Sequence, residues 1–290
     1  MKNYTIVIDS ASDLPLNIIK KYNLVSLGLT CNFKNKEYIE YENPSPLSYE
    51  EFYKGIREGE MPTTSQVNSQ RFYDAFEKII KENKAVIYPA FSSALSGTIN
   101  SAKIAKEELI EKYPEADINI IDTKCASLGY GLLVIKACEL NNRNAKKEEV
   151  IQYIEDTKLK MNHLVAMDDL NFLKRGGRLS GTAATLGSIL KLKPMVKMNN
   201  EGQLINYAKV QGRKKSINAL FNEFENKALD IDSQKLIAIS HSDCLEEAEF
   251  LANKIKSKYN VEVLINYIGC VIGSHTGPNT IALFFLGKER

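Results

Sequence analysis

Apolar residues run in short blocks separated by amphipathic stretches through the first half of the chain. The blocks at 4–8 (YTIVI), 23–29 (NLVSLGL), 85–90 (AVIYPA) and 117–122 (DINIID) have the length and β-branched content of strands. Between them, helical spacing begins near Leu16 and returns over 48–58, 69–82, 97–113 and 127–142. Alternation of this kind predicts βαβ units around a mostly parallel sheet. Small polar residues follow three of the strands, as DSASDLP (9–15), FSSALSGT (91–98) and DTKCASLG (122–129). In open α/β sheets ligands sit beyond the carboxyl ends of the strands, so these turns are expected to share one mouth.

The texture changes after residue 145. A charged helix, KKEEVIQYIEDTKLK (146–160), leads into HLVAMDDLNFLKRGGRLSGTAATLGSIL (163–190), which reads as a junction. A hairpin over 194–210 turning at Asn200 to Gly202, a helix over 214–228, a strand at 236–240 and a helix over 245–258 follow, and apolar strands at 261–269 and 280–287 close the chain. The expected fold is α/β in two domains, 1–160 with a mostly parallel sheet and 161–290 with a mixed sheet, and a ligand site between them. AATLGSIL (183–190) and IALFFLG (281–287) suit a tunnel wall or a core, the core being the commoner role.

Composition narrows the function. Lys and Arg total 38 against 36 Asp and Glu, and the net charge of +2 is spread without long runs, which argues against a nucleic-acid-binding tail or stripe. The start MKNYTIVIDS enters a strand rather than a signal sequence, and no apolar run approaches the ~18 residues of a membrane span, so a cytoplasmic protein is expected. The five cysteines (31, 125, 138, 244, 270) form no CxxC pair, which fits reduced thiols rather than a zinc cluster.

The candidate chemistry is rich in hydroxyls and poor in bases. PTTSQ (62–66) places Thr63, Thr64 and Ser65 before a helix, where they either cap it or meet a ligand. SSALSGT (92–98) follows a buried strand and opens a long helix, so Ser92, Ser93, Ser96, Gly97 and Thr98 sit where free N–H groups attract an anion. No GxSxG elbow is present and no base stands beside these serines, which points to binding rather than attack. LKRGGRLSG (173–181) sets Arg175 and Arg178 around a glycine pair, as an anion clamp or as solvated turn charges. His275 lies in a glycine-rich turn, GSHTGPNT (273–280), placed to meet a carboxylate, whereas His163 and His241 at strand edges read as structural. Cys125 with His275 as base would make a nucleophile, but no third member is evident. Asp168 and Asp169 form the only Asp–Asp pair and no P-loop occurs, so neither a metal nor a cofactor is expected.

Taken in order, IVIDSASDLP, PTTSQ, SSALSGT, DTKCASLGYG, LNFLKRGGRLSG, LKPM and IGCVIGSHTGPNT resemble the DegV family over almost the whole chain. The resemblance implies a two-domain α/β protein that holds a long-chain fatty acid in an interdomain tunnel. It further implies the fatty-acid-carrying subunit of a fatty-acid kinase: a separate kinase phosphorylates the bound carboxylate and the acyl phosphate enters phospholipid synthesis. Carried onto this chain, the family's head-group turn falls on Thr64 and Ser65, its serine turn on Ser92, Ser93 and Ser96 with Ser93 expected to matter most, and its histidine on His275. Its RGGR falls on Arg175 and Arg178, linked by the resemblance to the kinase-facing surface and to function. Cys125 stands where serine is expected, and Asn279 where glycine is common. Loading implies transient membrane contact, because a fatty acid dissolves poorly in water. The glycines at 176–177 and 273–277 are candidate hinges. Two other classes are weighed against the carrier: a hydrolase or phosphotransferase using the same turns, and a DNA-associated regulator, which the near-neutral charge disfavours.

Overall fold

The alternation of apolar blocks and helical stretches is realised in a computed structural model that describes residues 3–42, 47–181 and 192–290. Its elements in chain order begin with β1 (Tyr4–Asp9), α1 (Leu16–Tyr22), β2 (Val25–Leu27), β3 (Thr30–Phe33), β4 (Lys36–Ile39), α2 (Tyr49–Arg57), β5 (Thr63–Ser65) and α3 (Ser69–Lys81). Next come β6 (Ala85–Ala90), α4 (Thr98–Lys112), β7 (Ile118–Asp122), α5 (Ser127–Asn142), α6 (Lys147–Thr157), β8 (Met161–Ala166), α7 (Asn171–Arg175) and β9 (Leu179–Ser180). The remainder are β10 (Leu192–Met198), β11 (Leu204–Gln211), α8 (Arg213–Lys227), β12 (Leu236–His241), α9 (Leu245–Lys256), β13 (Glu262–Tyr267), α10 (Cys270–Thr276) and β14 (Ile281–Leu286).

The first sheet runs β2-β1-β6-β7 and is parallel throughout. Successive side chains of a strand face opposite ways. Ile6, Ile8 and Ile87 accordingly pack on α5, while Val7, Val86 and Tyr88 pack on Phe72 and Phe76 of α3 and Ala102 and Ala105 of α4. The chain leaves β1 on one side to form β2 and returns on the other to form β6, so the strand order reverses at β1. A crevice opens beyond strand ends at such a reversal.

The second sheet is mixed, in the order β13-β12-β14-β8-β10-β11-β9, with α8 and α9 packed on one face through Leu220, Phe224, Leu251 and Ile255. Its other face meets α5. That helix is apolar nearly all round, as a helix buried on both sides must be. Leu133 and Val134 share one core with Ile6 and Ile87 of the parallel sheet and with Val165, Ala238 and Phe284 of the mixed one. The expected boundary at 160/161 falls between a single 3-10 turn, Lys158–Lys160, and the start of β8.

A third sheet, β4-β3-β5, is antiparallel and joins residues 30–39 to 63–65. It differs from the sequence expectation at PTTSQ: Thr63–Ser65 is a short strand paired with β3, and the cap of α3 is Asn68, whose Oδ1 accepts the N–H of Arg71 at 3.0 Å. GSHTGPNT differs too. His275 lies in the last turn of a seven-residue helix, α10, rather than in a loop. AATLGSIL (183–190) lies outside the described residues, and IALFFLG contributes β14, whose Leu283, Phe284 and Phe285 are core.

Candidate functional site

The head of the site is built by three local structures. Thr64 is fixed by its register on β5, opposite Cys31 of β3. His275 is carried by α10, which packs against β3, β5 and α7. Ser96 ends the turn after β6, where its Oγ accepts the N–H of Thr98 at 3.2 Å and bonds Thr98 Oγ1 at 2.9 Å, making it the opening turn of α4. These elements enclose a cavity of about 340 Å³ lined at its polar end by Thr64, Ser65, Gln66, Ser96, Arg178, His275 and Thr276. The rest of its wall is apolar, supplied by Leu29, Phe91, Leu95, Leu173, Leu204 and Ile272. An apolar chamber with a few convergent polar groups at one end suits an amphipathic ligand.

Within the polar end, Thr64 Oγ1 and His275 Nε2 are 2.8 Å apart. Gly176 closes the other side of the ring: a Cβ there would lie 2.2 Å from His275 Nδ1, so close approach, not backbone strain, requires the glycine. Burial, with Arg178 and Arg175 adding positive charge nearby, pushes the imidazole down to about 4. At neutral pH it is therefore uncharged, a donor at one nitrogen and an acceptor at the other. A hydroxyl bonded to an imidazole resembles a nucleophile and its base. Catalysis of that kind needs an imidazolium stabilised by a carboxylate on the second nitrogen. Here Nδ1 faces Gly176, the neighbouring charges are arginines, and no carboxylate bonds the ring among the described residues. The pair is suited to holding an acid, not to activating the hydroxyl.

The structure separates the three serines of SSALSGT. Ser96 lines the cavity. Ser92 is fully buried and its Oγ donates to the carbonyl of Gly202 at 2.8 Å, fastening the β10–β11 hairpin turn. Ser93 is exposed, and its Oγ donates to Asp122 Oδ2 at 2.6 Å. Neither Ser92 nor Ser93 lines the cavity, because each hydroxyl is directed to a partner elsewhere.

The arginines of RGGR are separated as well. Arg175 is exposed, its guanidinium 4.9 Å from the ring centre of Phe172. Arg178 turns inward to the cavity, donating from Nε to the carbonyl of Leu95 at 3.1 Å and bonding the carbonyl of Gly176. It thereby ties the RGGR loop to the serine turn. Gln66 also belongs to the site, with Nε2 donating to Ser101 Oγ at 2.8 Å. Its signal is present in PTTSQ as the residue after the hydroxyls, and Gly97 is the matching one, since a Cβ there would lie 2.2 Å from Gln66 Oε1.

Of the three turns expected at one mouth, FSSALSGT and DTKCASLG reach the cavity, through Phe91, Leu95, Ser96 and Ala126. DSASDLP supports them from behind. Buried Asp9 accepts the hydroxyl of Tyr88 at 2.6 Å and the N–H of Phe91 at 3.1 Å. His163 pins the third turn, its Nε2 accepting the N–H of Ala126 at 3.1 Å. Among the described residues no helix is long and apolar enough to cross a membrane, and no cluster of three or more metal-ligating side chains occurs.

Comparison with known proteins places this architecture among relatives. The model of the DegV family, described as "Uncharacterised protein, DegV family", matches residues 3–288. A DegV domain-containing protein of Clostridium perfringens is 51% identical over 291 residues, spanning 100% of this chain and 99% of the relative. Among solved structures, a fatty-acid-binding DegV family protein from Thermus thermophilus superposes with a TM-score of 0.87 at 30% identity, covering 98% of this chain and 99% of that one. DegV of Bacillus subtilis, a fatty acid binding protein, gives 0.84 at 29% identity, with 99% and 100% covered.

Proposed function

Because this chain belongs to the DegV family, we propose that it binds a long-chain fatty acid between its 1–160 and 161–290 portions and presents the carboxylate to a fatty-acid kinase. The observation that carries the reading is the cavity itself, apolar over most of its wall, with Thr64, Ser96 and neutral His275 among its few polar lining groups. The tail supplies most of the affinity: burying about fourteen methylenes at ~0.8 kcal/mol each gives on the order of 11 kcal/mol before entropic costs. Thr64 and Ser65, Ser96 and His275 orient the head group, while Arg178 ties the loop beside them to the serine turn. Hydrogen bonds to a charged group contribute about 1.5–3 kcal/mol each, enough to fix orientation without burying an ion pair.

Hydroxyls and a neutral imidazole leave the carboxylate nucleophilic. One of its oxygens attacks the terminal phosphorus of a nucleoside triphosphate held by the separate kinase, the bond to the bridging oxygen breaks and the nucleoside diphosphate leaves, giving an acyl phosphate for phospholipid synthesis. This chain is then a carrier without chemistry of its own, working in the cytoplasm and touching the membrane only to load. Arg175, exposed in the same loop, meets the kinase in this reading.

The test is native mass spectrometry of freshly purified protein, with extraction and identification of what is released. One fatty acid per chain, diminished in His275→Ala and Thr64→Val, is expected; an empty protein that also refuses added palmitate would overturn the reading.

A further inference from the structure

The motif DSASDLP lines no part of the cavity, yet one of its acids and a second from just after β4 converge on the helix that carries His275. Asp13 Oδ1 accepts the N–H of Gly269 at 3.0 Å, and Glu40 Oε1 accepts the N–H of Val271 at 3.1 Å, with the N–H of Cys270 also directed to Glu40. A Cβ on Gly269 would lie 2.6 Å from Glu40 Oε1 and 2.8 Å from Asp13 Oδ1, so both carboxylates close on the same short run of backbone. The first N–H groups of a helix have no partner within it, and α10 has no side-chain cap of its own. They are satisfied instead by acids 256 and 231 positions earlier in the chain, and other contacts fix Asp13: Ser127 Oγ bonds its Oδ2, and Asn266 Nδ2 donates to its backbone carbonyl at 2.7 Å.

The small sheet and the residue after its β4 thus bear on the Thr64–His275 pair from two sides. Its β5 presents Thr64 directly, and Glu40, immediately after β4, grips the start of the helix whose last turn presents His275. Between them, Cys31 of β3 lies 3.7 Å from Ser274 Oγ. Neither acid has an ion-pair partner among the described residues, and burial raises both carboxyls, that of Glu40 to about 7. Asp13 is buried and Glu40 partly buried, and keeping two acids together there without a cation is costly.

We propose that Asp13 and Glu40 are positioning residues for the ligand carboxylate: by holding the first turn of α10 they hold His275 at Thr64. The inference rests on the fatty-acid reading above.

It is tested by comparing two probes of equal tail length, palmitate and hexadecanol, on the full chain. Glu40→Ala is expected to weaken palmitate about tenfold, the loss of a hydrogen bond's worth of head-group alignment, and to leave hexadecanol within about twofold. Asp13→Asn is the conservative control. It retains the acceptor for Gly269, its amide can donate to Ser127 whose hydroxyl reverses, and asparagine tolerates the positive φ of 48° at this position, so palmitate binding is retained. A parallel loss of both probes in Glu40→Ala would show general damage to the cavity wall and overturn the inference, as would no loss of either while His275→Ala weakens palmitate alone. If the unaltered protein binds neither probe, or His275→Ala leaves palmitate binding intact, the fatty-acid reading fails and the inference with it.

Discussion

Thr64 and His275 meet at 2.8 Å although 211 positions separate them in the chain, and Gly176 from a third segment closes the ring's other side. The consequence is a histidine whose titration reports on the site. In an unfolded chain the imidazole titrates near about 6.5, whereas here it is pushed down to about 4. Between those values the unfolded chain holds the extra proton. The residue's contribution to stability is therefore complete above about pH 6.5 and is lost as pH falls toward 4. Asp9 and Glu40, raised to about 6 and about 7, act with the opposite sign, losing their contribution as pH rises, so a bulk unfolding curve mixes the two. Ring NMR resonances of His275 separate them. Empty protein is expected to titrate well below ordinary histidine, and protein loaded with palmitate at a higher pH, because an adjacent carboxylate favours the charged ring. An unchanged titration on loading would remove the carboxylate from His275.

The serines give a sharper comparison. Thr64→Val and Ser96→Ala each delete a hydroxyl at the cavity and are expected to weaken palmitate by about tenfold or more. Ser93→Ala deletes one bonded to Asp122 on the exposed surface, so affinity should stay within about twofold. Ser92→Ala is expected to act on stability instead, by about 1–2 kcal/mol in chemical denaturation, since it leaves the buried carbonyl of Gly202 without its donor. Palmitate affinity measured by calorimetry across the four variants distinguishes this order from one led by Ser93.

Gly176→Ala tests the wedge on the imidazole. The backbone angle there suits any residue, φ being −73°, so the substitution brings no torsional strain. It places a methyl 2.2 Å from Nδ1 of His275, and the ring must move off Thr64. Loss of palmitate affinity with a small fall in melting temperature is the expected result. Gly177→Ala, where φ is +68° and no atom lies within 4 Å, should do the reverse, costing stability through strain and sparing affinity.

Much of the fold was legible because its strands and helices carry their periodicity locally. The helix expected over 127–142 is α5, and the turns after β1, β6 and β7 stand at the strand ends as read. The small sheet was hidden because TCNFKNKEYI mixes lysine, asparagine and glutamate into strands of four residues, and its pairing with TTS joins residues 31 to 35 positions apart, Asn32 with Thr63 and Thr30 with Ser65 at the extremes. Helix α10 was read as a loop since Gly269, Gly273 and Gly277 punctuate it. Its first N–H groups are bonded by Asp13 and Glu40, which no local pattern contains. Residue type marked the serine turn as a candidate but could not tell Ser96 from Ser92 or Ser93, because direction depends on which partner each hydroxyl finds in the folded chain.

Cys125 offers the last test, of chemistry rather than binding. Its thiol is fully buried, and burial pushes it up to about 11 although Arg290 lies 3.2 Å from Sγ and opposes the shift. No histidine serves it: His275 is bonded to Thr64, and His163 uses Nε2 on the N–H of Ala126 and Nδ1 on the carbonyl of Met161. A thiol of this kind is protonated and shielded at neutral pH, whereas a nucleophilic cysteine is exposed and low in pKa. Iodoacetamide at pH 7.5 should therefore leave Cys125 unmodified in the folded protein and label it once the chain is unfolded, as peptide mass spectrometry would show. Cys125→Ser, which restores the residue expected from the family, should leave palmitate affinity unchanged, because the side chain is turned toward Arg290 and the carbonyl of Lys158 and does not line the cavity. Rapid alkylation of the native thiol would instead reopen the nucleophile reading.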